Sequence, residues 1–416
     1  MDWNDGSHRR WLRSETDRLL QTARASRHPD GGFAWLDTLC RPEFGRPVET
    51  WITTRMTHVL ALGVLLGHAD CAEFVDHGVD ALGGLLRDAE HGGWFTSTDP
   101  AMRDEKRAYD HDFVLLAASS AHVAGRPGAR DLLDEAITVF ESHFWDEANG
   151  RIVDVWNADW SVAEPYLGAN ANMHGVESCL AVADATGDGR WLDRAFRIAD
   201  WFINTRARHN EWRIPEHFTP AGETLFDYNM DQPNHPFRPY GATVGHAFEW
   251  SRLLLHLDAA LRERASAEPG VSHQRTPTWL VSSAKSLFAR AVTDGWSTDG
   301  ASGFVYTTDW DGDAVVRDRL HWVTCEAIAA AAALLDAAND DFYNDYYEQW
   351  WSFAIEHFVD LRHGSWVHQL DARNHPAQSV WSGKPDVYHA VQACLLPRLP
   401  LYPSIAASIA GGHLTT

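Results

Sequence analysis

A turn built from glycine and an aromatic residue recurs along almost the whole 416-residue chain, about every 60 residues. It is spelled Gly31-Gly32-Phe33, then Gly92-Gly93-Trp94, then Asn149-Gly150-Arg151 running into Val155-Trp156. It returns without glycine at Glu211-Trp212-Arg213, and again as Ser302-Gly303-Phe304 and His363-Gly364-Ser365-Trp366. Only the fourth-to-fifth interval is stretched, to about 90 residues. Each interval holds two segments of helical periodicity. Self-similarity at a fixed period marks repeats, each of which buries its apolar face only against its neighbours. Six two-helix units predict an all-α (α/α)6 barrel: six helical hairpins in a toroid, with short β-turn and hairpin segments. No Ser/Gly linker divides the chain, so residues 1–416 read as one domain.

Periodicity and punctuation place twelve helices at about 8–27, 50–68, 71–88, 107–124, 129–145, 172–186, 189–205, 242–264, 277–293, 319–338, 341–358 and 386–396. Arg126-Pro127-Gly128 breaks the chain before the fifth, and Thr186-Gly187-Asp188-Gly189 separates the sixth from the seventh. Residues 206–241 have no such period and are rich in Pro, His and aromatics. A loop of that length in a compact fold is expected to serve the site, here as a lid.

The even-numbered helices share a pattern that the odd ones lack: polar and aromatic residues first, small apolar ones after. The second opens Trp51-Ile52-Thr53-Thr54-Arg55-Met56, the fourth Tyr109-Asp110-His111, and the sixth follows Asn170-Ala171-Asn172-Met173-His174. The eighth carries Gly245-His246-Ala247-Phe248-Glu249-Trp250, the tenth His321-Trp322 and Glu326, the twelfth Asp386-Val387-Tyr388-His389. As six inner helices, their N-terminal turns meet at one mouth, where unpaired N–H groups and positive dipole ends suit a polar, electron-rich substrate.

Charge and cysteine usage narrow the partners. With 58 acidic against 35 basic residues, a net charge of −23 argues against nucleic acid or an anionic membrane. The N-terminus Met1-Asp2-Trp3-Asn4-Asp5 is polar and no apolar run approaches a membrane span, so a soluble, cytoplasmic protein is expected. Five scattered cysteines form no CxxC pair, and Cys179, Cys325 and Cys394 sit in apolar helical stretches as buried free thiols do.

The predicted mouth gathers His111, His174, His246 and His389 with Arg55, Glu249 and Glu326. Imidazoles accept and return protons near neutral pH, which two-sided proton transfer needs. His174-x-x-Glu177 and His246-x-x-Glu249 each set a carboxylate one helical turn from an imidazole, where it can hold the ring tautomer. The same residues could ligate a divalent ion, but no HExxH appears and each histidine comes from a different repeat. A glycosidase would use two carboxylates among Asp110, Glu177, Glu249, Glu326 and Asp386. A carbohydrate-binding toroid without catalysis is a third alternative, with the 20 tryptophans stacking on sugar rings.

These strings, with Trp381-Ser382-Gly383-Lys384-Pro385-Asp386-Val387-Tyr388-His389-Ala390, resemble the N-acylglucosamine 2-epimerase superfamily from about residue 10 to residue 400. Arg27-His28-Pro29-Asp30-Gly31-Gly32-Phe33-Ala34-Trp35-Leu36 looks most like its aldose–ketose isomerase branch. His321-Trp322 departs from the tryptophan pair expected of the branch that takes a sulfonated sugar. The resemblance implies metal-free, cofactor-independent proton transfer through a cis-enediol, interconverting D-mannose and D-fructose, with D-lyxose and D-xylulose as a further pair. The same two histidines could instead return the proton to the opposite face of C2, as a 2-epimerase of cellobiose or N-acylglucosamine type does.

Carried over, His389 would move the proton between C2 and C1. His246, oriented by Glu249, would open the ring and exchange protons with the sugar oxygens. Arg55 would face the enediolate. Tyr109, His111, Asn170 and His174 would bind hydroxyls, Trp51, Trp322 and Trp381 would shape the pocket, and Glu326 and Asp386 would contact hydroxyls or support those that do. The partner implied is a small monosaccharide, taken by a monomer or a homodimer.

Overall fold

The computed structural model describes residues 5–267, 277–338 and 340–415, so the first four residues of the polar N-terminus lie outside the described residues. The helices, in chain order, are α1 (Gly6–Ala25), α2 (Thr50–Leu65), α3 (Ala72–Gly83), α4 (Ala108–Val123), α5 (Ala129–Val139), α6 (Ala169–Thr186) and α7 (Arg190–Ala199). They continue with α8 (Val244–Ala267), α9 (Trp279–Gly295), α10 (His321–Ala338), α11 (Phe342–His357), α12 (Tyr388–Leu395) and α13 (Ile405–Ala410). The first twelve occupy the expected segments. Wide π-helical turns, Phe140–Phe144 and Asp200–Ala207, carry α5 and α7 to their expected lengths. The short α13 has no counterpart among the expected helices, because six residues cannot display a 3.6-residue period.

Helices α2, α4, α6, α8, α10 and α12 touch one another in that order, and α12 touches α2, closing an inner ring. The odd-numbered helices pack outside it, with α1 against both α2 and α12. Burial separates the two sets. Thr50 to Gly63 of α2 is buried all round, and so is His321 to Leu335 of α10 apart from half-buried Trp322. By contrast α7 buries one stripe, Trp191, Leu192, Ala195, Ile198 and Ala199, as a helix packed on a single side does. At the far end, α13 lies across α2, α4 and α6. No helix among the described residues is long and apolar enough to cross a membrane, and all five cysteines are free.

Antiparallel pairs lace the rim at the N-termini of the inner helices. Glu49 bridges Ser97, Glu105–Arg107 pairs with Val155–Asn157, and Leu167–Gly168 pairs with His217–Phe218. Ala242–Thr243 pairs with Thr307–Thr308, and Arg319–Leu320 with Gln369–Leu370. The first member of each pair runs directly into an inner helix. Rim register therefore sets the height of the side chains in the first helical turn.

The recurring turn is the hairpin that follows an outer helix, bridging Arg27 to Phe33, Arg87 to Trp94, Trp145 to Ile152, Trp296 to Phe304 and Val359 to Trp366. Its glycine is left-handed in each case: φ is 69° at Gly32, 71° at Gly93, 67° at Gly150, 106° at Gly303 and 96° at Gly364. The residue that then enters the core is Phe33, Trp94, Ile152, Phe304 or Trp366, so the third turn buries Ile152 rather than Trp156. In the fourth repeat Glu211 and Trp212 take the left-handed conformation themselves.

The stretch 206–241 divides in two. Residues 206–209 still belong to the helical continuation of α7, and Ile214 to Phe218 run buried along the rim. Only residues 219–241 form the long loop, clamped by Arg238, which donates to Glu164 at 2.9 and 2.7 Å and to Asp154 at 3.4 Å. The loop returns to the ring at Gly241, whose φ is 88° and where a Cβ would stand 2.1 Å from the Thr308 carbonyl oxygen. Backbone cannot yield as a flexible side chain can. Gly241→Ala is expected to lower the free energy of unfolding by at least about 2 kcal/mol, read by urea denaturation. A loss below about 0.5 kcal/mol would refute this account of the turn.

Candidate active site

A pocket of about 660 Å³ opens at the N-terminal ends of the inner ring. Every inner helix supplies it: Trp51 and Arg55 from α2, Tyr109 from α4, Asn170 and His174 from α6, His246 and Glu249 from α8, Trp322 from α10, His389 from α12. Asp386 and Trp381, ahead of α12, line it as well. Pro236, Phe237 and Pro239 of the long loop close one side, with the Phe237 ring 5.4 Å from Tyr109 and 5.2 Å from Trp381 between centroids.

Two expected residues stand elsewhere. His111 is outside the pocket: its Nδ1–H donates to the Arg107 carbonyl at 2.7 Å and its Nε2 accepts the Trp94 N–H at 3.1 Å. It pins the second glycine–aromatic turn to α4, and burial lowers its pKa to about 3, which keeps it neutral. Glu326 lies behind His389 rather than against the pocket and accepts its Nδ1–H at 2.8 Å. Burial pushes Glu326 up, but the Arg252 guanidinium, 3.0 Å away, and the His389 hydrogen bond outweigh it and hold the carboxyl below its usual value.

The expected partner of His246 is also corrected. Its Nδ1 bonds Glu216 at 2.9 Å, not Glu249. Glu216 comes from the rim segment before the long loop, where no helical period could have flagged it, and it also accepts the Thr243 N–H at 3.4 Å. Glu249, one turn further along the same helix, lies instead within 3.7 Å of His174 and 3.6 Å of Arg252. Sequence reasoning likewise missed His321, His368 and Tyr306 in the wall. The His321 Nδ1 faces the His368 carbonyl at 3.3 Å and the two rings stack at 3.9 Å, with burial keeping both neutral.

The outcome is two imidazoles built alike. Each gives its Nδ1–H to a buried carboxylate, which leaves Nε2 as a lone-pair acceptor toward the pocket. They flank one indole: Trp322 lies 5.4 Å from His246 and 5.7 Å from His389 between centroids. That indole lies tight against α8, where a Cβ on Gly245 would stand 2.2 Å from it. Arg55 faces the same space. Its Nη1 donates to Asp386 at 3.2 Å and its Nη2 to the Tyr109 hydroxyl at 2.7 Å, while the Phe113 and Tyr388 rings hold the guanidinium at 4.4 and 4.8 Å. Burial disfavours that charge, and Tyr109, Asp386 and Tyr388 more than restore it. Asn170 lines the pocket with its Oδ1 buried and unpartnered.

Beneath the pocket floor the carboxylates join into one network. His174 Nδ1 stands 3.5 Å from Glu177, which accepts from Tyr388 at 2.5 Å and from Gln392 at 2.9 Å. Burial lowers the His174 pKa to about 4, against the opposing pull of Glu177. Burial and the neighbouring Glu326 charge raise Glu249 well above an ordinary carboxylic acid, whereas Arg252 and His389 hold Glu326 below it. His174, Glu177 and Glu249 are the group whose ligating atoms all lie within 4.8 Å of one another, the site's metal-capable cluster among the described residues.

Comparison with known proteins agrees with this geometry. The family model for N-acylglucosamine 2-epimerase (GlcNAc 2-epimerase) matches residues 31–393. A D-mannose isomerase of Thermobifida fusca is 52% identical over 408 residues, covering 97% of each chain. Another, of Pseudomonas cannabina pv. alisalensis, is 49% identical over 406 residues, covering 97% of this chain and 96% of its own. A crystal structure of a D-mannose isomerase superposes with a TM-score of 0.83 at 29% identity, covering 92% of this chain and 96% of that one.

The neutral His174 has a consequence for stability. Its folded pKa, about 4, lies below the 6.5 of the open chain, so between those values the unfolded state binds the extra proton. Its contribution is therefore present above pH 6.5 and lost as pH falls toward 4. The stability gap between the parent chain and His174→Phe is expected to shrink by on the order of 2 kcal/mol from pH 7 to pH 5, measured by urea unfolding at both. A pH-independent gap would contradict the neutral assignment.

Proposed function

The chain belongs to the N-acylglucosamine 2-epimerase family, as an isomerase of the D-mannose isomerase type, and we propose that it interconverts D-mannose and D-fructose. One observation supports the chemistry above the rest: two imidazoles with carboxylate-backed Nδ1 atoms, His246–Glu216 and His389–Glu326, on either side of Trp322. Moving an aldose to a ketose takes a proton from C2 to C1 and another from O2 to O1. A base that must return what it removes is best a neutral imidazole.

In the open-chain sugar, His389 Nε2 removes the C2 proton as the electron pair moves into the C1–C2 bond and charge gathers on O1. Arg55, fixed by Asp386 and Tyr109, faces that oxygen and stabilises the enediolate as a preorganised donor. His246 passes the hydroxyl proton between O2 and O1, and first serves ring opening at the ring oxygen. The imidazolium of His389 then delivers its proton to C1, giving the ketose. Glu326 and Glu216 stabilise each imidazolium while it exists and hold the reactive nitrogen outward. Asn170, His174, Tyr109 and the aromatic wall bind the hydroxyls and faces of the sugar. D-Lyxose, which lacks only the terminal carbinol, fits the same contacts and gives D-xylulose.

The test is NMR of EDTA-treated protein with D-mannose in D2O, in which D-fructose is expected. D-Glucose as the main product would overturn the isomerase outcome in favour of epimerisation, and no change in any free aldose would overturn both. His389→Asn and His246→Asn are each expected to lower kcat by about 1,000-fold or more in a folded protein. For the tautomer brace, Glu216→Gln is expected to lower kcat by about 10–100-fold with KM little changed. Wild-type kcat in that variant would return the orienting role to Glu249.

A further inference from the structure

Three buried side chains on the pocket floor offer ligand atoms to one point. His174 Nδ1 lies 3.5 Å from Glu177 Oε2 and 3.7 Å from Glu249 Oε1. Both separations are long for hydrogen bonds and close to the roughly 3.3 Å edge of a tetrahedron with 2.0–2.1 Å bonds. Glu249 Oε1 is a second, independent sign: the side chain is 1% exposed and this oxygen has no hydrogen-bond partner, its other charged neighbour being Arg252 Nη2 at 3.6 Å. It faces the imidazole nitrogen across a gap that a small cation spans and a hydrogen bond does not.

We propose that His174, Glu177 and Glu249 form a site for a borderline divalent cation of the zinc class, which excludes the sugar when it binds. Local charge favours a cation: Glu177, Glu326 and Asp386 surround the spot against Arg252 and Arg55, and the ion displaces the proton that burial favours on Glu249. The donor set, one imidazole nitrogen and two carboxylate oxygens, suits zinc or copper, while magnesium and calcium take more oxygens and different geometry. Three protein ligands leave a fourth position, and because His174 and Glu249 line the pocket, that position opens where sugar hydroxyls would sit. Tyr388 and Gln392 hold Glu177 from behind, the support that ligating carboxylates require. The ion takes no part in the isomerisation; it occupies the hydroxyl-binding floor and turns the enzyme off.

The exclusion of sugar rests on the proposed function, whereas metal binding does not, so the experiment measures binding directly. EDTA-stripped protein is titrated with ZnCl2 and, separately, with CoCl2, and retained metal is counted after desalting. One zinc per chain is expected, with the intense visible bands of four-coordinate cobalt. Glu249→Gln and Glu177→Gln are each expected to weaken zinc at least tenfold, with circular dichroism reporting their folding. Magnesium is expected to leave no retained ion, and D-mannose to raise the zinc concentration needed for half-saturation. No retained zinc in the parent chain, octahedral cobalt spectra, or zinc held equally by both variants would overturn the site. Zinc held through these residues yet indifferent to D-mannose would support the site and overturn the placing of the sugar.

Discussion

Arg252 is the charge on which the centre of the ring depends. It is 2% exposed, on α8, and its Nε donates to Glu326 at 3.0 Å while its Nη2 lies 3.6 Å from Glu249. Burying an unpaired carboxylate costs several kcal/mol, so Glu326 could not stay ionised without this guanidinium. An ionised Glu326 is what accepts the His389 Nδ1–H and turns Nε2 toward the pocket. The guanidinium cannot serve every carboxylate near it: burial and the Glu326 charge push Glu249, further away, well above an ordinary carboxylic acid. One cation thus separates Glu326, held low under His389, from Glu249, pushed up beside His174.

The six-unit ring makes such a centre possible. Five of the six inner helices, α2 to α10, are fed by a rim segment paired with the next unit, so their first turns are held at one level by backbone hydrogen bonds. A polar cluster assembled from residues hundreds of positions apart then needs no long side chains to reach its partners. The stretched fourth interval adds what the other intervals lack. It lengthens the link between α7 and α8 enough to send Glu216 along the rim to His246 and to lay Phe237 over the pocket.

Most of the architecture was legible because it follows from periodicity. Glycines that must be left-handed recur before a buried apolar residue, and all-round burial shows as small and apolar residues on every face of α2 and α10. That logic placed Arg55, His174, His246 and His389 at one mouth. It failed where a contact crosses between elements without a period. Glu249 sits one turn from His246 in sequence, yet the two side chains diverge, and the true partner, Glu216, lies 30 residues away on an aperiodic segment. His111 has the same position in its repeat as a pocket residue, but the Arg107 carbonyl and the Trp94 N–H claim both its nitrogens. Position within a helix names a level in the ring; which way a ring nitrogen points is decided by its neighbours.

The paired construction of His246 and His389 also bears on which product forms. Both have the same tautomer, each is backed by a carboxylate, and Trp322 lies between them, so nothing in their protonation chemistry prefers return of the proton to C1 over C2. The choice falls to how the enediolate is held. A donor fixed at O1 and an aromatic wall over one face leave C1 and C2 exposed to the same imidazole, and one base on one face serves 1,2-transfer. Epimerisation needs the second imidazole to reach C2 from the opposite face, which requires the C2–C3 bond to rotate. Phe237 and Trp381 lie 5.2 Å apart over the mouth, and Arg238 clamps the loop to Glu164, so a sugar bound there would have little room for that rotation. On the proposed reaction, the long loop would favour isomerisation by limiting the sugar rather than by touching the proton.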